Sequence, residues 1–309
     1  MKRITVVGSY NVGLFLKGSE IPGVGQTLIG DEFFEGGGGK GSNQAVAAAK
    51  LGANVSFIGR IGADKYGLDA IQMYNSFGMS RKSLIIDPSS HTGISVIFID
   101  KDGNNSIMVV LGANLNLCGD DLDAAESTFR ESEYVGFQLE NSVALVDYGI
   151  RKAHALGTKV LLDPAPVQQI AADLYPCIDI IKPNEHEATL LTGIKVDDRE
   201  SALEAARWFL GRGVKHAIIT LGEKGVVYAA SDSAREFPAY PVVPVDTTGA
   251  GDCFSGSLMC ALCEGKPFGE SIGFANAAAA LSVTRRGVVD AIPARDEVDN
   301  FLKDGTISK

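Results

Sequence analysis

Two stretches of the 309-residue chain gather residue types whose spacing could do chemistry: GGGGKGSN at 36 to 43 and DTTGAGD at 246 to 252. In the second, Gly249 and Gly251 flank Ala250, and Asp252 falls in the first turn of the helix that follows. Backbone N–H groups near 249 to 252 can then converge on one point, an anion hole with a carboxylate beside it. An acid placed where an anion would bind makes sense if it meets a hydroxyl that attacks a phosphoryl group. Asp252 would take the hydroxyl proton, while the N–H groups and the helix dipole stabilise the charge on the phosphate in transfer. The plainer reading leaves Asp252 as an N-terminal carboxylate that only complements the dipole.

The first stretch fits neither nucleotide motif it invites. A Walker A loop needs Ser or Thr after Gly-Lys and a glycine five residues earlier; here Gly41 follows Lys40, and Phe34 stands in the glycine's place. Gly36, Gly38 and Gly41 satisfy Gly-x-Gly-x-x-Gly, yet the N-terminal strand ends much earlier, at Gly8-Ser9-Tyr10-Asn11, so the dinucleotide context is missing. What survives is physical. Glycines admit a ligand close to the backbone, and the N-terminus of the following helix offers N–H donors. Lys40 and Asn43, three residues apart, add side-chain donors on that first turn. Such a cradle suits a polyhydroxylated ligand as well as an anion. The alternative is a flexible loop with Lys40 in solvent.

Lesser candidates carry less. Cys260 and Cys263 form C-x-x-C well inside a predicted helix, which favours packing over redox chemistry. His91, His154, His186 and His216 show no metal-ligand spacing. In KPNEHEATLLTG, Asn184, Glu185 and Glu187 follow a strand and open a helix. They read as an N-cap with capping carboxylates, or as acids that reach a magnesium ion through water.

The elements that must position these residues alternate: ITVV, a helix from about 42 to 51, NVSFIG, GLDAIQMYNSFG, and later YVGFQLE, VDYGIRKAHALG and TKVLLDP. Strand and helix in alternation predict βαβ units and a mostly parallel sheet covered on both faces. Helices are expected near 252 to 264, 267 to 283 and 294 to 303. Two stretches, 13 to 35 and 92 to 112, break the rhythm with short strand-like runs. The second contains a hairpin signal at Lys101-Asp102-Gly103-Asn104-Asn105. Their apolar residues are successive, as in strands covered on both faces. A small antiparallel lid, with one face over a ligand and the other against a partner subunit, would supply that cover; extra strands on an edge of the main sheet are the alternative.

Composition narrows the function classes. A net charge of −10 and no dense Lys/Arg cluster disfavour nucleic acid and anionic membrane as partners. No apolar run approaches the roughly 20 residues a bilayer requires. The start of the chain leads straight into a strand rather than a signal peptide. Five scattered cysteines fit a reducing cytoplasm better than a disulfide framework. The expectation is one continuous domain over 1 to 309.

At these residues the chain resembles the ribokinase-like sugar kinase family. GGKGSNQAVAAAKLGA and DTTGAGDCFSGSL are similar to its N- and C-terminal signatures. Between them, in order, lie GAN at 112, QLE at 138, DPAP at 163, KPNE at 182, TLGEKG at 220 and VTRRG at 283. The resemblance implies an α/β three-layer sandwich with a mostly parallel central sheet and a small β-sheet lid, the lid also serving as a dimer clasp. It implies a kinase that uses ATP with Mg2+, activated by K+. Asp252 would be the base, with Ala250 and Gly251 N–H groups in the anion hole. Asn11, Gly39, Lys40, Asn43 and Glu140 would hold the sugar. Asn184, Thr220, Gly222, Gly225 and Asn276 would line the ATP site, and Glu187 would hold magnesium indirectly. Asp246, Thr248, Ser282, Arg285 and Gly287 would surround the potassium ion, several through carbonyls.

Departures from the family pattern are equally informative. The usual Asn-x-Asp after the first strand is Asn11-Val12-Gly13, so a carboxylate that clamps sugar hydroxyls is missing. That removes a charge-assisted hydrogen bond worth about 1.5–3 kcal/mol. The family's late potassium-site hydroxyl is Ala291, and the lid's Gly-Glu-Thr is Gly25-Gln26-Thr27. The expected function is phosphorylation of a primary hydroxyl of ribose or a related small carbohydrate. A sugar-binding sensor of the same fold and a nucleotide-dependent dehydrogenase are the competing readings.

Overall fold

The structure is a computed structural model and describes residues 2–304. The chain runs β1 (Arg3–Val7), β2 (Asn11–Lys17), β3 (Glu32–Gly38), α1 (Lys40–Lys50), β4 (Asn54–Gly62) and α2 (Lys65–Ser76). Next come β5 (Leu84–Asp87), β6 (Gly93–Ile99), β7 (Asn105–Val110), α3 (Gly119–Ala124), α4 (Glu126–Arg130), β8 (Ser132–Phe137) and α5 (Val143–Ala155). Then follow β9 (Lys159–Leu162), β10 (Ile180–Ile181), α6 (Glu185–Thr192), α7 (Arg199–Leu210), β11 (His216–Thr220), β12 (Val226–Ala230) and β13 (Ser233–Phe237). The described chain closes with α8 (Ala250–Cys263), α9 (Phe268–Ser282) and α10 (Arg295–Asp304).

Nine strands form one sheet in the order β13-β12-β11-β10-β9-β8-β1-β4-β5. Its pairings are parallel except for the last two at one edge, β11 with β12 and β12 with β13. Successive strand residues point to opposite faces, so β1 sends Ile4 and Val6 into one core and Val7 into the other. The first core is closed by α1, α2, α8, α9 and α10, through residues such as Val46, Tyr74, Leu258, Ile272 and Val298. The second is closed by α3 to α7, through Leu122, Phe129, Val146, Ala188 and Phe209. This is a three-layer sandwich. Each fully buried large side chain, such as Phe57 or Phe137, is worth roughly 1.5–3 kcal/mol of transfer free energy.

The two irregular stretches join a separate sheet, not an edge of the large one. Its order is β3-β2-β6-β7. The outer pairs β2–β3 and β6–β7 are antiparallel, and β2 and β6 join them in parallel. The hairpin signal is realised, with Ile99 opposite Asn105. The expected double cover is not supplied by this chain: β7 is exposed along its whole length and β3 over its first four residues. In-register partners share a face, so Asn11, Gly13 and Phe15 lie on the face that carries Phe34, Ile107 and Val109. Leu16, Phe33, Met108 and Val110 lie on the other.

Candidate active site

The parallel strands deliver the polar residues at their carboxyl ends, where open α/β sheets bind ligands. Ser9, Tyr10 and Asn11 follow β1, Gln138 to Glu140 follow β8, Asp163 follows β9, Lys182 and Asn184 follow β10, and Thr220 ends β11. A main-chain bridge joins Asn184 to Thr220.

Gly39 is the N-cap of α1 with φ 87°, and a side-chain carbon there would fall 2.8 Å from both Asn11 N and Ser9 O. Only glycine lets the helix start so close to the end of β1. The orphan N–H of Lys40 donates to Glu140 Oε2 at 2.8 Å, and Ser9 Oγ donates to the same carboxylate. Glu140 thus sits at the positive end of α1. Asn11 Oδ1 accepts from Asn114 Nδ2 at 3.0 Å.

The two glycine-rich stretches meet. Asn43 Nδ2 donates to Asp252 Oδ2 at 2.9 Å across 209 residues of sequence. Gln44 Nε2 donates to Asp252 Oδ1 at 3.2 Å and to Asp163 Oδ2 at 3.0 Å. Burial pushes the Asp252 carboxyl up to about 6, against the pull of Lys40. Asp252 in turn is the main reason Lys40 is held above the usual lysine range. Asn43 Oδ1 is buried without a partner among the described residues. An acceptor so placed is costly unless a ligand hydroxyl reaches it.

Gly249, the N-cap of α8, has φ 77°. The first N–H groups of a helix have no acceptor within it, so the turn of α8 that holds Asp252 presents donors beside its carboxylate. Ala250 N–H leans toward Thr247 O at 3.3 Å, which makes it a less free donor than the sequence implied.

One cavity of about 850 Å³ is lined by Lys40, Asp252, Gly249, Ala250 and Gly251, and also by Asn184, Glu187, Thr220, Gly222, Gly225 and Asn276. That volume lies in the range of small-molecule sites. Asn184 and Glu187 form a reciprocal capping box on α6, at 2.8 and 2.9 Å. Burial holds the Glu187 carboxyl above the usual carboxylate range. The capping reading of this pair is therefore borne out, and both residues also line the cavity. Asn276 Nδ2 donates to Pro238 O at 2.8 Å, tying down the apolar wall formed by Tyr240 and Val242.

In the loop before α8, Asp246 accepts from Thr248 N at 3.0 Å and from Gly287 N at 3.2 Å. Arg285 pairs with Glu297, and Ser282 Oγ donates to Ala279 O at 2.8 Å. These two side chains are engaged elsewhere, and buried Ala291 offers no hydroxyl. Among the described residues no group of three His, Cys, Asp or Glu could hold a metal. All five cysteines are free, and Cys260 and Cys263 are buried in α8 as packing predicts.

A side-chain carbon at Gly13 would stand 2.7 Å from Phe15 Cε2 and 3.5 Å from Ile97 Cδ1. The ring of Phe15, stacked on Phe34 at 4.5 Å, occupies the space into which an acid would project. Sequence reasoning did not single out Phe15, Gln44 or Ser255, nor the pair Asp163 and Lys182. The last two stand in DPAP and KPNE, and an acid and a lysine ending neighbouring strands were a usable signal.

Residues 1–295 match the family model for the pfkB family carbohydrate kinase. The chain is 39% identical to a ribokinase of Haemophilus influenzae over 302 residues, 98% of this chain and 99% of that one. It is 34% identical to a deoxyribokinase of Salmonella typhi, over 97% and 98% of the two chains. Among solved structures, an Arabidopsis thaliana ribokinase complexed with ribose and ATP superposes with a TM-score of 0.91 at 31% identity, over 98% and 99% of the chains. The chain therefore belongs to the pfkB family of carbohydrate kinases, phosphotransferases that use ATP and an alcohol group as acceptor.

Proposed function

We propose that the chain transfers the γ-phosphoryl group of ATP to a primary hydroxyl of a pentose or related small sugar. The observation that carries this is the bond from Asn43 to Asp252, which makes the glycine cradle and the anion hole one site. With its pKa near 6, Asp252 is mostly ionised at neutral pH and poised to accept a proton. It takes the hydroxyl proton, the sugar oxygen bonds to phosphorus, the bond to the β–γ bridging oxygen breaks, and ADP leaves. Gly249, Ala250 and Gly251 shape the anion hole. Asn11, Gly39, Lys40, Asn43 and Glu140 bind the sugar, while Asn184, Thr220, Gly222, Gly225 and Asn276 bind ATP.

Glu185 and Glu187 line the cavity without forming a closed ligand set. That fits a magnesium ion held mainly by ATP phosphates, with Glu187 reaching it through water. Magnesium would neutralise phosphate charge. Asp246, Thr248, Ser282, Arg285 and Gly287 would hold a potassium ion chiefly by carbonyls, with Ala291 contributing no side-chain oxygen; the ion would fix the loop that carries the anion hole.

The small sheet is read as a lid that closes over the sugar and excludes water. Its exposed Phe33, Met108 and Val110 form an apolar face of the kind a second copy covers, so the working form is a homodimer through the lid. Five free thiols fit the cytoplasm.

A screen of ADP release over pentoses, ketoses, deoxysugars and nucleosides, with and without potassium, tests this reading. Asp252→Asn should lower kcat by about 10²–10⁴-fold. Full activity in that variant would sink the mechanism. Sugar binding with no turnover on any substrate would favour a binding sensor.

A further inference from the structure

The pair Asp163 and Lys182 has no part in the scheme above, yet it lies at the floor of the same cavity. β9 and β10 are parallel neighbours with Leu162 opposite Ile181, so the residues just after them are adjacent. Lys182 Nζ stands 3.2 Å from Asp163 Oδ2, and both side chains are 3% exposed. Asp163 is anchored from behind, accepting from Gln44 Nε2 at 3.0 Å and from Ser255 Oγ at 3.1 Å. Lys182 is not anchored in this way. Its ammonium has three donors, and among the described residues Asp163 is its one carboxylate partner.

Position then decides what the remaining donors face. A side-chain carbon at Gly251 would be 3.4 Å from Lys182 Nζ, so the ammonium abuts the first turn of α8. The helix N-terminus and the buried cation are thus neighbours in the lining of one cavity. A buried lysine with a single partner is expensive in a cavity wall unless an anion completes its shell. Gln44 bridges Asp163 to Asp252, so the base and the ammonium are held in a fixed relation without pairing directly.

We propose that Lys182 is a further catalytic residue whose Nζ contacts the phosphoryl group during transfer, with Asp163 as its positioning residue. This rests on the reading of Asp252 as base and the α8 N-terminus as anion hole. Lys182 neither gains nor loses a proton: the sugar hydroxyl proton goes to Asp252, the new O–P bond forms, and the bond to the departing ADP oxygen breaks. Its part is to offset the charge spread over the equatorial oxygens. Asp163 keeps the ammonium from collapsing onto Asp252 and quenching the base.

The deciding test is the double variant Asp163→Asn/Lys182→Met, which removes both charges and leaves no lone ion in the core, measured beside Lys182→Met. Readouts are kcat, KM for ATP and sugar, and affinity for ADP with and without aluminium fluoride as a mimic of the phosphoryl group in flight. A phosphate-contacting lysine predicts a kcat lowered about 10²–10³-fold in both variants. It also predicts a comparable loss of affinity for the ADP–aluminium fluoride–sugar complex, with ADP affinity within threefold. A double variant whose kcat stays within tenfold of wild type overturns the proposal and makes the pair structural. Asp252→Asn run alongside separates the claims: if it keeps full activity, the base assignment fails. If it is inactive while the double variant works, only the role of Lys182 fails.

Discussion

The two sheets of this protein are built to opposite standards. In the nine-stranded sheet, β1 is buried over four of its five residues and both faces are sealed by helices. In the four-stranded sheet, β7 has no buried residue and Phe33, Ile107 and Met108 face solvent. The polar groups differ in the same way. Asp252, Asn43, Gln44 and Asp163 are tied by bonds of 2.9 to 3.2 Å at the ends of the large sheet. Across the small sheet, Gly13 and Gly36 lie opposite each other; nothing stands near a side-chain carbon at Gly36, while the Phe15 ring fills the space beside Gly13. On the proposed function, transfer chemistry would rest on the preorganised half, and choice of sugar and closure on the half that a ligand or a second copy would complete.

Changes on the rigid side should cost most. Asp252→Asn tops the scale, as given above. Gly249→Ala comes next, because its φ of 77° and a side-chain carbon 2.5 Å from Val288 Cγ1 strain the N-cap of α8. A cost of about 1–3 kcal/mol is expected for such backbone strain, read as a lower Tm with a kcat loss of tenfold or more. An unchanged Tm and kcat would show that the anion hole is not set by that turn.

Changes on the small sheet should redirect or loosen the enzyme instead of silencing it. Gly13→Asp should raise kcat/KM for ribose, and the combination with Phe15→Ala should raise it further, by about tenfold or more, since a charge-assisted hydrogen bond is worth about 1.5–3 kcal/mol. If ribose use does not rise in either variant, position 13 does not set specificity. The smallest effect on kcat is expected from Phe33→Glu with Met108→Glu. Sedimentation should shift from dimer to monomer while kcat stays within threefold; a wild type that is already monomeric would remove the clasp from the account.

The same contrast explains what the sequence made legible. Strands of the large sheet announce themselves because burial on both faces writes Val and Ile in runs, as in ITVV and HAIIT. The helices after the two glycine-rich stretches were visible, expected from about 42 and 252 and starting two residues earlier, at Lys40 and Ala250, where Gly39 and Gly249 hold a positive φ. Asp252 could be singled out because an acid beside an anion hole has few uses. Gln44 and Ser255 could not, since a buried Gln or Ser inside a helix looks like any other until the strand opposite is known. Phe15 was hidden for a similar reason: its ring matters because it lies over Gly13, a relation set by strand pleat and not by the hydrophobic pattern. The ion pair of Asp163 and Lys182 depends on β9 and β10 being neighbours in space.

In the proposed mechanism Asp252 is the base. A carboxyl raised by burial to about 6 is ionised above that pH and protonated below it, so the base is lost as pH falls. The measurement is kcat/KM for the sugar against pH, with ATP saturating, in wild type and Asp252→Asn. A plateau at neutral pH and a tenfold fall per unit below about 6 are expected in the wild type, with that limb absent in the variant. A wild-type profile that stays flat through pH 6, or an acid limb that persists unchanged in Asp252→Asn, would contradict it.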